Sequence, residues 1–491
     1  MQMLGAGAAA STLAPLLQAC GGAATSRARF GGKARRPLDQ INDQVRGAVR
    51  RLSQRFDDVT AYVVRTNKGR AVVDETEKQV DTQTYTSLVF RAVSAAGVFE
   101  RATTDLSDSG IDLAELQIRQ RATAPNAPIK PPAQTAVATE QFTTRMRIDP
   151  RSKTPQDWLA LLEKLFQRAR KAGDSRIVYR GAYLVIDDSE SVFVTSDKEV
   201  TQRLVRTHTG VTFVAWTGNK PSVDEASSAG TYGLEAMNLD AVKLANAARR
   251  AMSLLTARGA RDFDGQVLLD PSVVALLVKD CLGPALSGDR WASGEIDGRS
   301  RIGKPIGSSL INLIDDPTTQ GSFGAYFVDD EGHRAGRTNL IKAGKLVGPI
   351  TDLASAKTLG LPHTANGRRP TQLAPARPHF STLWLGPGQR SRDQLIEAMP
   401  SGVLVRGGVR AQFDPVTWRI VVRAERAFEI TNGRLTGKLF AGVDLVSDLP
   451  TLLASVTGMS DRVEYHDFGG DVPTTTGGPY MLTRAKLVGR V

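Results

Sequence analysis

The feature that most limits this chain is a change of character near residue 260. Before it, apolar residues fall into long runs with both helix and strand periodicity. After it, short apolar runs alternate with Gly, Asp, Asn and Pro turns to the end. A chain of 491 residues also exceeds one core of ordinary size. The sequence therefore predicts an α+β protein: an N-terminal α/β sandwich-like domain over 41–258 with a mainly antiparallel sheet, then a β-rich C-terminal domain over 259–491.

In the first part, Ile41, Val45, Val49, Leu52 and Phe56 recur at helical spacing. Val59–Arg65 reads as a strand, Lys68-Gly69 as a turn, and Arg70–Asp74 and Tyr85–Val93 as further strands. A capped helix is predicted over Asp105–Arg119 with Ile111, Leu113, Leu116 and Ile118 apolar, and another over Pro155–Lys171. The Pro/Ala/Thr-rich stretch 122–138 reads as a loop. Strands are predicted at Ile177–Tyr179, Tyr183–Asp187, Ser191–Thr195, Val205–Thr209 and Val211–Trp216. A helix over Asp240–Arg258 carries Val242, Leu244, Ala247, Ala251, Leu254 and Leu255.

In the second part helices are predicted near 273–282, 391–399 and 448–456 only. In the first of these, Leu276, Leu277, Cys281 and Leu282 share one face, and Gly283-Pro284 would kink or end it, because proline has no N–H to donate.

Composition narrows the function. With 41% hydrophobic and 23% charged residues the chain is globular. Its net charge of +12 is spread along the sequence, without the basic stripe and interleaved aromatics of a nucleic-acid binder. Two cysteines, Cys20 and Cys281, cannot build a disulfide framework, and no two of the five histidines sit at helical ligand spacing. No Gly-x-Ser-x-Gly elbow occurs. Residues 1–20 read as a signal segment with a lipobox-like Leu17-Gln18-Ala19-Cys20, which would lipidate Cys20, and 21–40 as a flexible linker. No Lys or Arg precedes the apolar run, and Met1–Gly7 looks like the tail of a twin-arginine signal that begins upstream. Export to the bacterial envelope on a lipid anchor is the expectation, with a cytoplasmic location if the signal reading fails.

An ordered set of segments resembles the TldD/PmbA (TldE) family of metallopeptidase-related proteins. It comprises Leu313-Ile314-Asp315-Asp316-Pro317, Phe327-Val328-Asp329-Asp330-Glu331-Gly332, Thr338–Leu346, Gly367-Arg368-Arg369, Glu429–Gly433 and Gly478-Pro479, with Ser87–Arg101 and Leu106-Ser107 in the first half. In the TldD branch a helix carries His-Glu-x-x-x-His, with two histidines for Zn²⁺ and a glutamate as general base. Aligned on Gly288-Asp289, those positions are Lys279, Asp280 and Pro284 here, none of which can serve that role well. The resemblance thus implies the branch without the zinc motif: no metal in this chain, zinc only in a TldD-like partner subunit, and a role in an assembly acting on unfolded or short peptides. Two alternatives stay open. One is an active peptidase with a site rebuilt from Asp280, Cys281 or the Asp329–Glu331 cluster. The other is an envelope peptide-binding scaffold working as a homodimer.

Single residues carry further expectations. Asp329, Asp330, Glu331, Arg368 and Arg369 are candidates to line a peptide cavity. The bland reading of Asp329–Glu331, as of Asp315-Asp316-Pro317, is an acidic turn. His363 could recognise a carboxylate beside Arg368-Arg369 or sit in a solvated loop. Cys281 reads as a buried small hydrophobe. His466 and Asp467, adjacent in a strand, would point to opposite faces.

Overall fold

The computed structural model describes residues 38–94, 97–121, 138–218 and 220–490. The signal and lipobox reading, Cys20, nearly all of the linker and the 122–137 part of the expected loop lie outside these residues. Among the described residues no helix is long and apolar enough to cross a membrane.

The chain opens with helix α1 (Leu38–Ser53) and then strands β1 (Asp58–Asp74), β2 (Lys78–Ser94) and β3 (Gly97–Thr103). Helix α2 (Asp108–Arg119), β4 (Ala138–Thr143), α3 (Pro155–Ala169), β5 (Ile177–Val194), β6 (Lys198–Thr217), β7 (Lys220–Gly230) and α4 (Ala241–Ser253) follow. The strands form one seven-stranded sheet in the order β3-β2-β1-β5-β6-β4, with β7 also on β6. All its ladders are antiparallel except β4 on β6.

The expected Lys68-Gly69 turn does not exist. β1 runs straight through it, paired with β2 from Asp58↔Val93 to Val73↔Lys78 and with β5 on its other edge. Gly69 is there for close approach: a Cβ would come within 2.5 Å of the Trp158 ring. The real turn is Asp74–Glu77, where Asp74 Oδ1 accepts the N–H groups of Thr76 (2.7 Å) and Glu77 (2.9 Å). For the same reason the three strands expected over 177–195 are one, and the two over 205–216 are one, since neighbours on both edges hold the backbone extended.

All four helices cover one face of this sheet. Val45, Val49 and Leu52 of α1 and Ile111, Ala114 and Ile118 of α2 pack on Ala61, Val63, Leu88 and Phe90. Leu162, Leu165 and Phe166 of α3 and Leu244, Ala247 and Ala251 of α4 pack on Leu184, Ile186, Val211 and Phe213. Predicted apolar positions Leu113, Leu116 and Val242 are exposed instead, because the helix stripes run through 110, 111, 114, 115, 118 and through 244, 247, 248, 251. The period of two along β1 sends Tyr62, Val64 and Thr66 to the opposite face. There Tyr62, Val64, Phe193 and Val200 pack against Val328 of the second half.

After α4 come β8 (Arg258–Gly259), β9 (Phe263–Leu269), β10 (Leu313–Asp315), β11 (Thr338–Lys342), β12 (Lys345–Leu346), β13 (Gly367–Arg368), β14 (Arg377–Pro378) and β15 (Thr382–Leu385). Then come β16 (Ser401–Phe413), β17 (Arg419–Thr431), β18 (Arg434–Asp448), β19 (Gly458–Met459), β20 (Glu464–Phe468), β21 (Thr474–Gly478) and β22 (Met481–Gly489). One sheet runs β12-β11-β10-β15-β21-β20. In another, β22-β9-β16-β17-β18 closes on itself because β18 also pairs β22, which removes the open edges.

Helix α5 (Pro271–Leu277) packs on β16 and β21. Asp270 caps it, accepting the Val273 N–H, and Pro271 sits in its first turn. Val273, Val274, Leu277, Val278, Cys281 and Leu282 are all buried, so this element is core on nearly every side. The second half also holds short helices over Gly288–Ala292 and Leu353–Leu359 that its turn-rich sequence did not signal.

Candidate functional site

Two cavities meet where the helix-free face of the first sheet faces loops of the second half. The larger, about 990 Å³, has Tyr62, Thr66, Ser191, Gln202 and Arg206 on the sheet side, and Asp330, Arg368 and Arg369 opposite. The smaller, about 250 Å³, is walled by Gly283, Pro284, Asp289, Arg290 and His379. Arg368 and Pro370 line both and form the partition.

Hydrogen bonds across the sheet face fix the loops. The Gln202 side chain accepts from the Phe327 and Val328 N–H groups and donates to Val328 O at 2.9 Å. Arg206 donates Nε and Nη2 to the carbonyls of Phe323 and Ala325, both at 2.8 Å. Gln372 donates to Thr66 Oγ1 at 2.9 Å, and Arg369 grips Glu100 at 2.7 and 3.1 Å. Burial, followed by the nearby Arg368 charge, pulls Arg206 down to about 10.

The five peptide-cavity candidates divide. Asp330, Arg368 and Arg369 line the large cavity. Asp330 Oδ2 accepts the Arg369 N–H at 2.8 Å and meets Arg368 Nε at 3.4 Å. Asp329 and Glu331 turn away. Asp329, fully buried, accepts the N–H groups of Glu331 and His333 on Oδ1 and of Gly367 on Oδ2, so it builds the turn. Glu331 Oε2 accepts the Leu353 N–H, while Arg91 lies 3.5 Å from its other oxygen. His363 is no solvated loop residue and does not reach Arg368-Arg369; its Nε2 lies 3.4 Å from Glu331.

Asp329, His333 and His363 hold three potential metal-ligand atoms within 4.8 Å of one another. The donor chemistry argues against a cation. His363 Nδ1 accepts the Ala365 N–H, which leaves the proton of a neutral ring on Nε2, donated to Glu331. Asp329 already serves three backbone donors. A metal on His363 would have to displace its contact to Glu331 or to the Ala365 N–H.

Asp315 is more than a turn. It ends β10 with no exposed surface and accepts from Ser381 N–H and Oγ on Oδ1 and from Asn366 Nδ2 on Oδ2. Burial pushes it up to about 6 despite those bonds. Asp316 caps the next turn through the Thr318 N–H. Asp467 bonds Thr475 rather than its neighbour His466. Cys281 is buried, its thiol pushed up to about 12 by burial.

The zinc-helix positions sit in a distorted segment. Beyond α5 the chain adopts a π-helical turn over Val278–Leu282, in which the Gly283 N–H bonds Val278 O, five residues back, and then one α-turn over Gly283–Ala285. The helix continues through Gly283-Pro284 and ends at Leu286 rather than breaking at the proline, with the π-turn shifting the backbone bonds just before the position whose N–H Pro284 lacks. The π-turn also brings residues five apart, such as Lys279 and Pro284, towards one side. Lys279 Nζ bonds Asp280 Oδ1 at 2.7 Å and lies 5.0 Å over the Phe468 ring. Pro284 faces the smaller cavity beside His379, which burial and the charges of Arg368 and Lys279 hold low. An ammonium already paired, a ring without a donor atom and a carboxylate bound to that ammonium do not make a zinc site.

The sequence reading missed Tyr62, Gln202, Arg206 and His379. Its one usable signal was the alternation in β6, where Gln202 and Arg206 put polar groups on the face opposite Val211, Phe213 and Ala215.

A sheet with helices on one face and a closed β unit with a buried helix on the other is a fold shared with a solved TldE chain. The structure superposes on TldE from Thermococcus kodakarensis with a TM-score of 0.72 at 20% identity, covering 91% of this chain and all of that one. A Thermotoga maritima chain gives 0.73 at 14% identity over 92% of this chain. Residues 264–489 match the PmbA/TldA metallopeptidase C-terminal domain. Over 310 residues the chain is 28% identical to a metalloprotease of Methanothermobacter thermautotrophicus, covering 62% of this chain and 68% of that protein. It is 26% identical over 325 residues to a metalloprotease TldD homolog of Haemophilus influenzae, covering 64% and 66%. A Methanocaldococcus jannaschii metalloprotease matches over 59% of its length. Residues 264–489 thus carry the C-terminal domain of the PmbA/TldD family, and the relatives and the superposition extend the likeness over most of the chain.

Proposed function

We propose that this chain is the subunit without zinc in a TldD/TldE-type metallopeptidase assembly, binding unfolded or short peptides that a zinc-bearing TldD-like partner cleaves. One observation carries the reading: at the zinc-helix positions, Lys279 and Asp280 neutralise each other and Pro284 offers no ligand. The adjoining cavity, with its polar sheet wall and paired guanidiniums, suits a peptide better than a nucleotide. A homodimer presenting the same cavity is the second reading, and Cys20 lipidation would hold either form at the envelope.

Purification from the host, with zinc measured and the co-purifying chains identified, tests this. The expected result is no zinc in the isolated chain and a stable complex with a zinc-bearing relative. Stoichiometric zinc together with peptide cleavage by the purified chain alone would overturn it. Labelling of the native protein with a fatty acid tests the anchor, and an unlabelled Cys20 removes it.

A further inference from the structure

The deep end of the larger cavity is short of negative charge. Three guanidiniums meet there, and Arg206 and Arg368 are both more than nine-tenths buried. Arg369 is matched by Glu100. Arg206 gives its bonds to two carbonyl oxygens, and the carboxylates of Asp187 and Asp330 act on it only through space. Arg368 has only a 3.4 Å contact through Nε to Asp330, whose same oxygen is already taken at 2.8 Å by the Arg369 N–H. Its guanidinium stacks 4.4 Å over Tyr326, and its Nη1 is buried with no hydrogen-bond partner.

Two other acidic groups line the cavity: Asp187, which accepts from Ser189 Oγ at 2.6 Å, and Asp471. Lys68 adds further positive charge along the same cavity. A buried guanidinium without a matching anion is costly, and a planar two-oxygen anion is what its fork geometry fits. Around this end stand the neutral donors Tyr62, Ser191 and Gln202 and the apolar Val64 and Leu204, a lining suited to an extended chain rather than a lone ion.

We infer that Arg206 and Arg368 form a carboxylate subsite that takes the free C-terminal carboxylate of a bound peptide, setting the end from which the peptide is read. The inference rests on the peptide-binding reading above. An acidic side chain offers the same chemistry, and the experiment separates the two sources.

Binding of short fluorescent peptides to the full chain is followed by anisotropy, comparing a peptide without acidic side chains as free acid and as C-terminal amide. A third peptide carries one internal glutamate and an amidated end. The free acid is expected to bind about 10- to 100-fold more tightly than the amide. Arg206→Gln and Arg368→Gln should each collapse that ratio towards unity, with Arg368→Lys retaining part of it, and a urea midpoint measured for each variant separates a lost subsite from a lost fold. Equal binding of acid and amide to the unaltered chain overturns the subsite and leaves peptide binding standing. Tight binding of the internal-glutamate amide alone overturns the C-terminal assignment in favour of a side chain. Absence of binding by every peptide overturns both the subsite and the peptide reading.

Discussion

Two regions about one partition behave in opposite ways. On the helix side the charged groups are answered from within, Lys279 by Asp280 and Asp270 by the cap it makes, and the Cys281 thiol is a buried neutral group with a weak contact to Gln412 O. On the cavity side, Arg206 and Arg368 are buried with partners that do not cancel their charge. A region whose groups satisfy one another has nothing left to offer a ligand. A region left short by the fold has stored its unmet demand for something that binds. On the proposed reading the positions aligned with the zinc helix are the quiet ones, and recognition would fall to the far side of Arg368.

The comparison breaks most severely if the scaffold under the cavity is removed. Asp315 holds Asn366 and Ser381, at the two ends of the segment that presents Arg368 and Arg369. Asp315→Ala leaves buried donors unpaired, and we expect a loss of about 3 to 5 kcal/mol, read as a lower urea midpoint at unchanged slope. A midpoint within experimental error of the native chain would mean the segment is held by other bonds.

The same residue gives a pH test. Its folded value, about 6, lies above its ordinary one of 3.8. The folded chain therefore keeps the proton where the unfolded chain has lost it. The contribution is fully present below the unfolded value and fades as pH rises from about 4 through 6. Relative to Asp315→Asn, which cannot titrate, the native chain should lose about 2 kcal/mol across that window. Parallel stability profiles for the two would rule out a raised Asp315.

These residues also show how far the sequence could be read. The strands and helix positions were legible because they rest on local periodicity, and the ordered segments because they resemble the motifs of a known family. Gly69 misled, since a glycine needed for the Trp158 ring looks the same in sequence as one needed for a turn. Asp329 and Asp330 could not be told apart: they are neighbours of one type, one satisfied by three backbone N–H groups and the other facing the cavity. Arg206 was invisible as a site residue, because its neighbour across the cavity, Arg368, is far away in sequence and only the packing of β6 against the 323–330 loop brings them to one wall. What could not be read was everything that depends on which face of a strand meets which loop.

The seam between the two regions is sharpened by Gly283, whose Cβ would come within 2.5 Å of the buried Phe380 ring. Helix propensity alone favours alanine by about 1 kcal/mol, and overpacking a core ring costs about 1 to 3 kcal/mol. Gly283→Ala should therefore lose about 1 kcal/mol in urea. Stabilisation would show that Phe380 moves freely and that the helix is not clamped against the partition.

The smallest effect should come from the pair Lys279 and Asp280, aligned with the first histidine and the glutamate of the zinc motif. Lys279 and Asp280 keep 30% and 25% of their side-chain surface exposed. At such exposure water screens the attraction, and ordering a long lysine offsets part of it. Lys279→Ala should change stability by between about 0 and 1 kcal/mol, and should leave the ratio of acid to amide peptide binding untouched, because the ammonium lines neither cavity. The buried arginines across the partition should do the reverse and govern that ratio. If Lys279→Ala alone abolished peptide binding while the fold stayed intact, the helix would not be quiet, and the contrast between the two regions would be lost.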